Sequence, residues 1–288
     1  MSLIAPFLQY DFMMRALFAF VVLAVLAAAI GPFVALRDLE FVSDGLVHAV
    51  FPGLAIGALA FGRDGALAGA IVAGALAAAV LTLTATRIRQ ADAPVAVVLT
   101  TAFSIGVIAV SASGFPGQLE LLLFGQMFAI RPAQIWSIAV VASVAVIAML
   151  VTRRGQLYRA FDPAGARAAG FRPIVTDLVL NMSLAVAVVA GSQVLGNLLV
   201  LALLIIPAAS ARNFGAGIIG MVVLSGAFTL VSGWVGLAVA FEASVGRGVN
   251  LSPSGSVVGA FIVVYLASLI VGAVRRAGLH RSRRGSAS

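Results

Sequence analysis

Three observations predict an all-α, polytopic membrane protein with about eight or nine transmembrane helices. Hydrophobic residues make up 62% of the 288 residues and charged residues only 10%, where soluble domains carry roughly 25%. Mean hydropathy is +1.15. Apolar stretches recur at about the 20 residues needed to cross a hydrocarbon core.

Nine such segments can be read, at 13–36, 41–62, 64–86, 93–113, 133–152, 173–191, 194–211, 216–241 and 256–274. The first is too long for the apolar core of a signal peptide, so no cleavable leader is expected. The second crosses fully only if it begins near Phe41, because Ala49–Gly62 alone is too short. That start places Asp44 and His48 inside the membrane. Pro52 is expected to bend or break this helix. Gly53 and Gly57, followed by Gly65, Gly69 and Gly74 on the third segment, give small spacings that allow close helix approach. Pro207 and the small residues after it end the very apolar seventh segment. Residues 1–279 thus form a transmembrane domain, and residues 280–288 a polar, basic and disordered tail.

With nine crossings, Arg37, Arg87 and Arg89, the arginines of 153–172, Arg212 and the basic tail share one side. The positive-inside rule makes that side the cytoplasm. The chain is then a multi-pass protein of the plasma or inner membrane, with its N-terminus outside and its C-terminus inside.

Three absences narrow the function. There is no cysteine, which excludes disulfides and thiolate–metal sites within the chain. Every basic side chain is arginine. Without lysine the chain cannot form a Walker A phosphate loop or a lysine Schiff base. No HExxH motif appears either, and the reading is that the chain is not an enzyme. Any ATP that drives it is hydrolysed by another polypeptide.

Asp44 and His48, four residues apart, share one helix face. Within a membrane such a pair is costly unless it faces a cavity, a partner or a passing cation. Taken alone, it reads equally as an interfacial turn or as a ligand pair. One Asp and one His make only a partial shell for a divalent ion, since zinc takes about four ligands. Two copies facing across a two-fold axis would supply two carboxylates and two imidazoles, a set that suits Zn²⁺ or Mn²⁺ rather than Cu⁺.

The loop from Tyr158 to Pro173 holds a capped helix. Asp162 is a natural N-cap with Pro163 at the first position, and Gly170 is a natural stop. This suits either docking on a cytoplasmic partner or a plain interfacial turn. Asp177 and Asn181 lie four apart on the sixth segment, and Gln193 and Asn197 four apart near the seventh. All four are candidate pathway residues. Helix-terminal stabilisation and ordinary packing are the competing readings.

The motifs together resemble the manganese/zinc/iron permease family of ABC importers. LRDLEFVSDGLVHAVFPG looks like the family signature, RIRQADAPVAVV like its first cytoplasmic loop and LLFGQMFAI like its Phe-Gly stretch. FDPAGARAAGF is similar to its coupling loop, LLVLALLIIPAASAR to its late motif and LSPSGSVV to the start of its last segment. Ser43 departs from the usual glycine, and Ala91 and Pro94 depart within the first loop. The resemblance implies an inner-membrane importer permease that works as a homodimer. Two cytoplasmic ATP-binding-cassette subunits would drive it, and an extracytoplasmic metal-binding protein would feed it. It further implies that Asp44 and His48 contact the metal, and that the segment carrying Asp162, Pro163, Ala164, Arg167 and Gly170 touches the ATPase. No cofactor is expected, because the divalent ion is cargo. No nucleic-acid partner is expected. The rival reading is a secondary divalent-cation transporter or channel without an ATPase. A permease for a metal chelate is a further rival, one that would tolerate loss of the pair.

Overall fold

The computed structural model describes residues 5–87, 92–112, 125, 127–197, 199–246 and 248–285. Among these, every regular element is helical. The helices are α1 (Ala5–Gln9), α2 (Asp11–Leu36), α3 (Glu40–Gly62), α4 (Gly65–Ala85), α5 (Asp92–Ala112), α6 (Pro132–Phe161), α7 (Pro163–Ala168), α8 (Pro173–Leu195), α9 (Val200–Asn213), α10 (Ile218–Phe241) and α11 (Pro253–Gly285). Eight are long and apolar enough to span a membrane. The expected seventh crossing is the exception. α8 runs on to Leu195 and stops at Gly196, whose φ of 87° and ψ of 160° suit only glycine. The following α9 has 14 residues, about 21 Å at 1.5 Å per residue, short of a full span.

Pro52 does not break its helix. The chain stays helical through it and reverses ten residues later at Gly62 (φ 69°). Buried Pro52 is held by its neighbours, and a β-carbon at Gly106 of α5 would lie 3.1 Å from its Cα. The glycines are what join α3 to α4. A β-carbon at Gly53 would come 2.2 Å from the Gly69 carbonyl oxygen, and one at Gly57 2.3 Å from that of Gly65. The two backbones are in direct contact, as small-residue spacing allows in a membrane.

α2 and α8 are the most enclosed spans, while α5, α6 and α11 lie outside. Polar contacts gather several helix ends at one end of the bundle. Arg37 after α2 and Arg159 of α6 both pair with Asp177 of α8. Arg212 of α9 donates to the Ala35 carbonyl at 2.9 Å, and Asn213 donates to Ser268 of α11 at 2.9 Å. Asn181, early in α8, donates to Thr82, late in α4. The ends of α2, α4, α6, α9 and α11 and the start of α8 therefore share one side, the side of the clustered arginines.

α11 runs to Gly285, into the basic segment that begins at His280. Arg and Leu favour helix, no proline intervenes, and the preceding span supplies the nucleus. Residues 88–91 and 121–124, parts of two sequence motifs and including Ala91, lie outside the described residues. So do Glu120 and residues 286–288.

Candidate metal-translocation site

α3 begins at Glu40, so Asp44 and His48 fall in its first two turns. The turn that carries them packs against α4 and α8. Gly74 of α4 sits where Val50 of α3 meets the middle of α8. A β-carbon there would lie 3.1 Å from Val50 Cγ2, 3.3 Å from Ala185 Cβ and 3.7 Å from Val189 Cγ2. Val50 is two residues beyond His48, while the Val47 carbonyl just before His48 accepts from Asn197, which follows the end of α8.

The His48 Nε2 lies 3.5 Å from Asp44 Oδ1, longer than the roughly 2.9 Å of a good hydrogen bond. The two groups are neighbours without a close hydrogen bond between them. The His48 ring meets Phe103 of α5 edge-on, with centroids 5.0 Å apart at 88°, and Phe103 in turn contacts Phe51. His48 Nδ1 is buried and without a partner among the described residues. Ser43, the departure before the aspartate, is helical and buried, and its hydroxyl donates to the Leu39 carbonyl at 2.9 Å. No glycine is needed for that backbone.

The pair is partly covered. Its side chains are 31% (Asp44) and 19% (His48) exposed, and α5 packs on the same stretch of α3 through Val95, Phe103 and Gly106. Among the described residues no group of three or more metal-ligating side chains assembles. One copy thus offers two candidate ligands.

At the arginine-rich end, Asp162 caps α7 by accepting from the Gly165 amide at 2.8 Å, with Pro163 next and Gly170 (φ 84°) after it. Ala166 is buried and anchors the helix, while Asp162, Pro163, Ala164, Arg167 and Gly170 are exposed. Phe171 stacks on Tyr158 at 5.5 Å and closes the turn.

The four candidate pathway residues are all engaged within the bundle and do not gather around His48 as a set. Asp177 accepts two bonds from Arg159, at 3.2 and 3.1 Å, and one from Arg37. Asn181 donates to Thr82 at 2.8 Å. Gln193 meets Gln134 at 3.5 Å. Asn197 donates to the Val47 carbonyl at 2.9 Å. The turn at Gly196 separates Gln193 from Asn197, so the two do not share a helix. Sequence reasoning missed Arg37 and Arg159 as partners of Asp177, and Phe103 as the wall of His48. Those contacts cross 140, 18 and 55 positions respectively, beyond any local pattern.

A helical bundle of eight membrane-length helices with a carboxylate–imidazole pair on one of them and a capped helix at its basic end defines a class: a multi-pass membrane permease. The chain belongs to the ABC 3 transport family, which matches residues 9–275, the metal-permease family of ABC importers that its motifs resemble. It is 29% identical over 251 residues to the manganese transport system membrane protein MntC of Listeria monocytogenes, covering 84% of this chain and 86% of that one. It is 26% identical to the manganese import system permease protein ScaB of Streptococcus parasanguinis, covering 94% and 95%. A probable iron transport system membrane protein of Haemophilus influenzae is 29% identical over 73% of each chain. Among solved structures, PsaBC from Streptococcus pneumoniae in complex with Fab superposes with a TM-score of 0.79 at 25% identity, covering 92% of this chain and 94% of that one. An inward-facing putative metal-chelate ABC transporter shares the fold alone, at a TM-score of 0.64 and 16% identity.

Proposed function

We propose that this chain is the membrane permease of an ABC importer for a divalent metal ion, with manganese the first candidate and iron or zinc the alternatives. The observation that carries the reading is the Asp44–His48 pair, side by side and partly buried in the first two turns of the membrane-length helix α3. Its relatives bear the names of manganese and iron transporters, and an oxygen and nitrogen donor set suits those ions. The incomplete shell supports a homodimer in which two α3 helices face each other and contribute two Asp44 carboxylates and two His48 imidazoles. Shared, partial ligation also favours release, which a transport site needs.

ATP is hydrolysed by separate cytoplasmic subunits that dock on the exposed side of α7, at Asp162, Pro163, Ala164, Arg167 and Gly170. The chain itself makes and breaks no covalent bond. An extracytoplasmic binding protein delivers the ion to the opposite end. The basic end of the bundle, with Arg37, Arg159 and Arg212, is the cytoplasmic one.

The test is ⁵⁴Mn²⁺ uptake by cells whose only copy of the chain is wild type, Asp44→Ala or His48→Ala, with membrane levels measured in parallel. Loss of uptake at normal membrane levels in both variants is expected. Undiminished uptake in both would overturn the assignment and favour a chelate as cargo. Uptake that persists when the ATPase subunits are deleted would favour a secondary transporter.

A further inference from the structure

Asn197 is a fully enclosed polar side chain near the pair. It is 0% exposed and sits just after the Gly196 turn that separates α8 from α9. Its Nδ2 donates to the Val47 carbonyl at 2.9 Å, a bond spanning 150 residues. The peptide it grips is the one that leads into His48. Its Oδ1 is buried with no partner among the described residues. A buried amide with half its capacity unused is costly, and a leucine would fill similar space without that penalty. The donor bond is therefore the feature that accounts for an asparagine here.

The turn it grips needs an external hold. Pro52 lacks the N–H that would bond the His48 carbonyl, so α3 loses a rung at the residue that carries the imidazole. A second unpartnered buried atom, His48 Nδ1, lies on the same turn. Asn197 bonds the carbonyl next to the missing rung, so it restrains the backbone from which the imidazole projects.

The other end of α8 is fixed to the α7 region. Gln156 of α6 donates to the Thr176 carbonyl at 2.9 Å, and Arg159 forks onto Asp177. α8 thus joins the basic end of the bundle, at its first turn, to the His48 turn, at its last. A 23-residue helix with both ends tied moves as a rod.

We propose that Asn197 is a positioning residue for the metal pair. It is the terminal link through which α8 sets the orientation of His48. This rests on the reading of Asp44 and His48 as the ion's ligands. Movement at the α7 end is then felt at His48 through the Asn197–Val47 bond. Cutting the bond loosens ligand geometry and leaves the bundle standing.

The test measures KM and Vmax for ⁵⁴Mn²⁺ uptake in cells carrying Asn197→Leu or Asn197→Asp, beside wild type and Asp44→Ala, with membrane levels recorded. Leucine removes the donor, and aspartate replaces it with an acceptor facing the Val47 carbonyl. The expected result is a KM raised about tenfold in either variant at normal membrane level, the low end of what losing a ligand's supporting partner costs. An unchanged KM in both, while Asp44→Ala abolishes uptake, overturns the role of Asn197 alone. Undiminished uptake in Asp44→Ala overturns the metal-site reading beneath it. Loss of both Asn197 variants from the membrane also overturns the proposal, since Asn197 would then be a packing element.

Discussion

Replacing Asp177 by asparagine should destabilise the basic end of the bundle more than any other single neutral substitution there. Asp177 accepts a forked pair of bonds from Arg159 at 3.2 and 3.1 Å and another from Arg37. Asp177 and Arg37 are 15% and 12% exposed, and Arg159 is 29% exposed. Removing one partner of a fully buried ion pair costs about 3–5 kcal/mol, because the other charge is left uncompensated. This cluster lies at the end of the bundle and keeps some solvent, which lowers the expected cost to about 2 kcal/mol. Arg37 already has one buried nitrogen without a partner, so it is the guanidinium that loses most. The assay is unfolding by SDS titration in mixed micelles, run as a double-mutant cycle with Arg159→Gln. A coupling of about 1 kcal/mol or more between the two substitutions is expected. Additivity within about 0.5 kcal/mol, or an Asp177→Asn variant as stable as wild type, would refute the clamp.

Further expectations concern packing, docking and topology. Gly53→Ala puts a methyl 2.2 Å from the Gly69 carbonyl oxygen. The α3–α4 hairpin must open, at a cost of about 3 kcal/mol by the same unfolding assay, whereas Gly259→Ala, with open space around it, should change stability by less than about 0.5 kcal/mol. Arg167→Glu on the exposed side of α7 should abolish uptake while leaving Mn²⁺ binding to the solubilised protein intact, which separates docking from ligation. Because the chain has no cysteine, a single Arg167→Cys variant reports sidedness. An impermeant maleimide should label it in inverted vesicles and not in intact cells.

Much of this arrangement was legible in the sequence because it is set by local rules. The requirement for about 20 residues per crossing put Asp44 and His48 inside the membrane, and α3 starts where that reasoning placed it. Asp162, Pro163 and Gly170 are capping signals that act within a turn, and they produced α7. The glycine spacings marked a close contact, although only the fold shows that Gly53 meets Gly69 and Gly57 meets Gly65. The expected break at Pro52 and a full seventh crossing were not found. Packing holds the helix together at Pro52, and nothing in a hydropathy profile marks the turn at Gly196. The partners of Asp177 and Asn197 were out of reach because they come from other helices, where pairing is decided by tertiary contacts.

The central claim is that the carboxylate of Asp44 and the imidazole of His48 hold the transported ion. The most direct measurement is anomalous X-ray scattering at the manganese edge from crystals of the purified protein equilibrated with Mn²⁺. The account predicts a peak within bonding distance of Asp44 and His48, absent in Asp44→Ala crystals under the same conditions. A peak held by other residues, or one that survives in Asp44→Ala, would contradict it.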